Sequence, residues 1–110
     1  MRILIGALGV ALLAGCVSTE DLVQQGPAEV IATAKAPRDY AKCLTPKWQD
    51  LNPRTVATET EDGYRIRLDI DMVGTPVMAL VSESTNGATA RIYVRNGTWA
   101  KWVRVARSCG

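Results

Sequence analysis

The sequence predicts an α+β fold: a four-stranded antiparallel meander, with an N-terminal helix and a C-terminal helix packed on one face and joined by a disulfide. Three observations carry this. Residues 64–72 alternate strictly between apolar and charged side chains. Tyr40, Cys43, Leu44, Trp48 and Leu51 recur at the spacing of one helix face. Cys43 and Cys109 stand near the two ends of the segment 37–110.

The chain has 110 residues, with 13 Lys and Arg against 11 Asp and Glu, so its net charge of +2 is no signature of nucleic-acid binding. It contains no His, which removes the commonest metal ligand and the usual general base near neutral pH. With no Phe either, Tyr40, Trp48, Tyr64, Tyr93, Trp99 and Trp102 supply all the large aromatic surface.

The first element is an address. Met1-Arg2 places one positive charge before an apolar run over 3–14, which ends in Leu13-Ala14-Gly15-Cys16. A run of about 12 residues is too short to span a bilayer core of about 30 Å as a helix. A charged start, a short apolar core and small residues at the cut describe a secretory signal. Leu13-Ala14-Gly15-Cys16 resembles the lipobox of bacterial lipoproteins. The resemblance covers residues 1–16. It implies cleavage after Gly15, a diacylglycerol thioether on Cys16 and an amide-linked acyl chain such as palmitate. Several chains, at about 0.8 kcal/mol per buried methylene, hold a membrane far better than one. Val17 follows the cysteine. By the enterobacterial sorting rule, in which Asp at that position retains a lipoprotein at the inner membrane, the protein goes to the outer membrane and faces the periplasm.

The expected division is a signal peptide over 1–15, a membrane tether over 16–36 and a small periplasmic domain over 37–110. Removing Arg2 leaves 12 basic residues against 11 acidic, a net charge of +1. Gly26-Pro27 marks a linker. Val30, Ile31 and Ala34 lie at the spacing a short helix over 27–35 would use.

The domain should open with a helix over 37–44. Pro46 then breaks or kinks it, because an interior proline loses a hydrogen bond and clashes with the preceding turn. Thr45 can cap, and Pro46 can start a second piece that ends at Leu51. Asn52-Pro53 stops it. Strands follow over 55–60, 64–72, 77–84 and 89–95, separated by Glu61-Asp62-Gly63, Gly74-Thr75-Pro76 and Thr85-Asn86-Gly87. In the second strand Tyr64, Ile66, Leu68, Ile70 and Met72 share one face, and Arg65, Arg67, Asp69 and Asp71 the other. That pattern describes an antiparallel sheet covered on one side. Residues 98–109 suit a fifth strand or a helix. Helix is preferred, because Trp99, Trp102, Val103, Ala106 and Cys109 lie on one helical face, with Thr98 placed to cap and Gly110 to stop it.

With Cys16 acylated, Cys43 and Cys109 are left to pair in an oxidising compartment. A closure of that span is worth about 4 kcal/mol in a chain-entropy treatment, a sensible staple for a thin core.

No catalytic group stands out. Ser84 and Ser108 have no evident base to activate them. Asp69 and Asp71, on one strand face with Arg65 and Arg67, read as solvated cross-strand ion pairs rather than as an acid pair or metal ligands. The protein is expected not to be an enzyme and to use no cofactor or metal. The candidate binding surface is the basic C-terminal quarter: Arg91, Arg95, Lys101, Arg104 and Arg107, with Tyr93, Trp99 and Trp102 nearby and no acidic residue after Glu83. Such a cluster suits an acidic envelope protein or anionic lipid. A solvated helix face above a Trp core is the plainer reading.

The mature part also resembles small lipoproteins of proteobacteria and their phages. The matching residues are Ala41-Lys42-Cys43 with Trp48, Gly63-Tyr64-Arg65, Ala90-Arg91-Ile92-Tyr93, and the stretch from Trp102 to Cys109. That resemblance lends fold more than function. The expected function is a non-enzymatic envelope module that binds a neighbouring component through its charged sheet face or its basic C-terminal segment, with phage superinfection exclusion as one alternative. A second alternative rests on Ser84-Thr85-Asn86-Gly87-Ala88, Arg91-Ile92-Tyr93 and Trp99-Ala100-Lys101. These resemble motifs of membrane-bound lysozyme inhibitors, whose fold is an all-β barrel, and the resemblance implies Ser84 and Lys101 as contacts. A helical C-terminal segment counts against it.

Overall fold

The computed structural model describes residues 18–95 and 99–110 of the chain. The expected signal segment, Cys16 and the capping Thr98 lie outside the described residues. The elements run α1 (Thr19–Gln25), β1 (Glu29–Thr33), α2 (Pro37–Leu51), β2 (Thr55–Thr60), β3 (Gly63–Ile70), β4 (Gly74–Ser84), β5 (Gly87–Val94) and α3 (Ala100–Ser108). The fold is α+β with an antiparallel sheet, as expected. The sheet has five strands rather than four, in the order β1-β5-β4-β3-β2, and three helices are described.

The additional strand comes from the stretch expected to be a tether. Val30, Ile31 and Thr33 are β-branched, and such side chains fit a pleated surface better than a short exposed helix. The strand gains a full ladder against β5, with Ile31 opposite Ala90 and Val30 opposite Arg91. Ile31 thereby joins the main core. Before it, Ser18 and Asp21 form a reciprocal capping box that starts α1. Gly26 ends the helix with φ +91°, a left-handed conformation that glycine adopts without a Cβ penalty.

α2 is one continuous helix from Pro37 to Leu51 with Pro46 inside it, where a break or kink was expected; there is no break. An interior proline costs about 3 kcal/mol. Pro46 itself is exposed, while Tyr40, Leu44 and Trp48 on either side of it are fully buried. Burial of side chains this size contributes about 1.5–3 kcal/mol each, enough to hold the helix through the proline.

β3 ends at Ile70, so Met72 does not continue the buried face as its position in the alternation suggested. Met72 is 96% exposed with φ +67° and lies in the turn before β4. β4 begins at Gly74, so Thr75 and Pro76, expected as turn, are strand. At the other end of β3, Gly63 sits so close to β4 that a Cβ would collide with the carbonyl of Val81.

The sheet has two unlike faces. The inner face carries Ile66, Leu68, Val77, Ala79, Val81, Ala88, Ala90 and Ile92 against α2, with α3 packed in the same core through Trp102, Ala106 and Cys109. The small alanines on β4 and β5 let the helix layer approach closely. The outer face was expected to be solvated, but α1 crosses it. Leu22 is buried there against Met78 and Tyr93, with Leu80 at the margin. That is why residues 75–79 of β4 are buried on both sides, in a continuous run that breaks the period of two.

Candidate functional site

α3 is the first candidate platform, and the structure shows how firmly it is held. The Cys43–Cys109 disulfide joins α2 to the end of α3, with Cα atoms 5.9 Å apart. Tyr40 donates its hydroxyl to the carbonyl of Ala106 at 2.7 Å. Trp48 donates its indole N–H to the carbonyl of Trp102 at 3.1 Å, and the two rings meet edge to face with centroids 5.3 Å apart. Trp99 makes a second edge contact with Trp102 at 5.9 Å. Trp48 and Trp102 are therefore core, Trp99 packs half-buried against them, and the cations of α3 face outward. Burial pushes the Tyr40 hydroxyl up to about 12, because charge would have to form without water.

The five cations of the basic quarter do not form one surface. Lys101, Arg104 and Arg107 are exposed on α3. Arg107 is already engaged: it holds Glu29 at the start of β1 through bonds of 2.6 and 3.2 Å. The hydrogen bond from Arg107, against slight desolvation, keeps the Glu29 carboxyl below its ordinary value. Among the described residues, Lys101 and Arg104 have no ion-pair partner. Arg91 lies on the other side of the sheet. It sits between Ala90 and Ile92, which face the helix layer, so alternation turns it outward. Its side chain donates a long 3.4 Å hydrogen bond to the Ser82 hydroxyl. Arg95 follows the end of β5, exposed, with its backbone N–H bonded to the carbonyl of Pro76.

The outer face carries a second basic group, on the charged sheet face that the alternation of β3 set apart. Strand register aligns Val30, Arg91, Leu80, Arg65 and Thr58 in one row across the sheet. Tyr93, Met78, Arg67 and Val56 form the next row. The Nε of Arg65 is buried without a hydrogen-bond partner. Arg67 is spent on Asp69 at 2.7 Å. Between this face and α1 runs an open groove of about 310 Å³, lined by Thr19, Glu20, Val23, Arg65, Met78 and Leu80 among others.

Asp69 and Asp71 are separated. Asp69 accepts from Arg67 on its own strand and from the Thr75 hydroxyl at 2.7 Å, while Asp71 pairs with Arg54 at 2.8 Å. Burial opposes ionisation of Asp69, but the bonds from Arg67 and Thr75 and the charge of Arg65 outweigh it and hold the carboxyl low. Its role is to brace the irregular β3–β4 turn, where the register shifts after Leu68. The ion pairs are not the cross-strand ones expected: one lies within β3, and the other reaches from the loop before β2. Ser84 is at the exposed end of β4 and Lys101 on α3. The helical segment Ala100–Ser108 departs from the barrel that the inhibitor resemblance implies.

Among the described residues, no helix is long and apolar enough to cross a membrane. Compared with protein-family models, curated proteins and solved structures, the chain matches none.

Proposed function

We propose that the protein is a non-enzymatic lipoprotein of the bacterial outer membrane. It is anchored through Cys16, faces the periplasm, and binds an acidic neighbour in the envelope through Lys101 and Arg104 of α3. The observation that carries the reading is the setting of α3. Its exposed cations ride on a nine-residue helix pinned by a disulfide and two buried side-chain hydrogen bonds. A rigid platform loses little entropy on binding, so a modest charged contact suffices. The lipobox-like Leu13-Ala14-Gly15-Cys16 and the oxidised cysteine pair agree on a compartment outside the cytoplasm.

In-cell crosslinking of the full-length protein, with mass-spectrometric identification of what is captured, tests this reading. Reproducible capture of one envelope protein, reduced several-fold by Lys101→Gln with Arg104→Gln, is the expected result. Equal capture by the double variant removes α3 as the contact. The anchor is tested separately: globomycin, an inhibitor of the lipoprotein signal peptidase, should accumulate the unprocessed chain.

A further inference from the structure

The two basic groups lie on opposite sides of the molecule, and the chain's own N-terminus points to the environment of one of them. Ser18 is locked as the cap of α1, and α1 is locked onto the outer face by Leu22 and by the Gln25 side chain, which donates to the carbonyl of Val94 at 3.0 Å. Thr19, the next residue, lines the groove over Arg65, Met78 and Leu80. The chain therefore enters the fold above the outer face. Only Val17 separates Cys16 from Ser18. A chain extends at most about 3.3–3.6 Å per residue, so the two Cα atoms lie no more than about 7 Å apart. Once residues 19–33 are helix and strand, little of the expected tether remains to hold the domain away from the bilayer.

We propose that the α1-bearing face of the sheet lies against the phospholipid headgroups, which places α2 and α3 on the side away from the membrane. This rests on the lipid-anchor reading and deepens it. The face fits the partner. The row runs Val30, Arg91, Leu80, Arg65, so two guanidinium groups that can bind phosphate alternate with apolar side chains. Val30 is 57% exposed and Val23, on α1, 46%. Arg67 and Asp69 neutralise each other, Asp21 is occupied in the capping box, and Glu20 lines the groove beside Arg65. Arg91 has no ion-pair partner among the described residues. With Cys16 inserted, the same orientation presents Lys101 and Arg104 to the periplasm, where a partner can reach them.

The test uses the full-length lipidated protein in vesicles of phosphatidylethanolamine and phosphatidylglycerol that include a lipid with a nitroxide on its headgroup. Cys16 is acylated and Cys43 and Cys109 are paired, so one introduced cysteine is the only free thiol. Val30→Cys on the outer face and Lys42→Cys on the exposed side of α2 are each labelled with a fluorophore. Quenching several-fold stronger at position 30 than at 42 is expected. Equal quenching, or stronger quenching at 42, overturns the inference. Mass spectrometry of the N-terminal peptide separates the two levels. An acylated Cys16 with no preference between the labels defeats the orientation alone, and an unmodified Cys16 defeats the anchor reading and the orientation with it.

Discussion

The inner and outer faces of the sheet are both covered by helices, but by different means. On the inner face, α2 and α3 bury Tyr40, Leu44, Trp48, Trp102 and Ala106 in one core and are tied by a disulfide and two side-chain-to-carbonyl bonds. On the outer face, α1 is seven residues long and buries one side chain, Leu22. A helix that short has no stability of its own in water. The inner layer is determined many times over, whereas the outer one hangs on a cap, a leucine and a glutamine. The difference teaches which parts of the molecule can come apart without the rest.

That contrast can be broken most forcefully at Trp48. Trp48→Ala should cost about 3–5 kcal/mol, because it removes a fully buried ring and leaves the Trp102 carbonyl without its donor. Denaturant unfolding should show one cooperative transition at a much lower midpoint. Replacing Cys43 and Cys109 together by Ser should cost about 2–5 kcal/mol, read the same way, and the loss should be global because the bridge spans 66 residues. Leu22→Ala should behave differently. It should cost about 2–3 kcal/mol of local stability, seen as faster amide exchange in α1 while the protection of β3 and β4 stays. If protection of the whole sheet falls with it, the outer layer is part of the global fold and the contrast is wrong.

Tyr40 sharpens the contrast through pH. Its folded value, about 12, lies above the ordinary value of 10.0. The folded state thus holds the proton more tightly, and the stability it contributes is complete below about pH 10 and lost as pH rises towards 12. Thermal melts across that range should show a decline that Tyr40→Phe flattens. The smallest effect belongs to Lys101→Gln with Arg104→Gln, which should leave stability within about 0.5 kcal/mol, since both side chains are exposed and unpaired among the described residues. A larger change would mean that α3 uses them to hold its own place.

Much of the inner layer was legible because its signals are local. The spacing of Tyr40, Leu44 and Trp48 and the alternation of Tyr64, Ile66, Leu68 and Ile70 each repeat often enough to be read in a window. The outer layer left weaker marks. Ser18-x-x-Asp21 is a capping signal before Leu22-Val23, and Gly26-Pro27 follows a helix end as readily as it marks a linker. Val30-Ile31 with Thr33 is β-branched, yet five residues are too few to separate a strand from a helical turn by period. The buried run over 75–79 was in plain view too, but a strand covered on both faces makes sense only once something is known to lie on each.

The sequence alone determined the class of fold, the inner faces of α2 and β3, and the pairing of Cys43 with Cys109 once Cys16 was set aside. Each follows from chemistry carried by neighbouring residues or by elimination. Tertiary structure alone decided that 29–33 is a strand, that α2 runs through Pro46, and that Arg91 stands apart from Lys101 and Arg104. These outcomes depend on partners far along the chain. The β5 edge gives Glu29–Thr33 its ladder. The core around Tyr40, Leu44 and Trp48 outweighs the cost of the proline. A difference of one residue in a strand turns a side chain to the opposite side of the molecule, so cations that are close in sequence can face different surroundings.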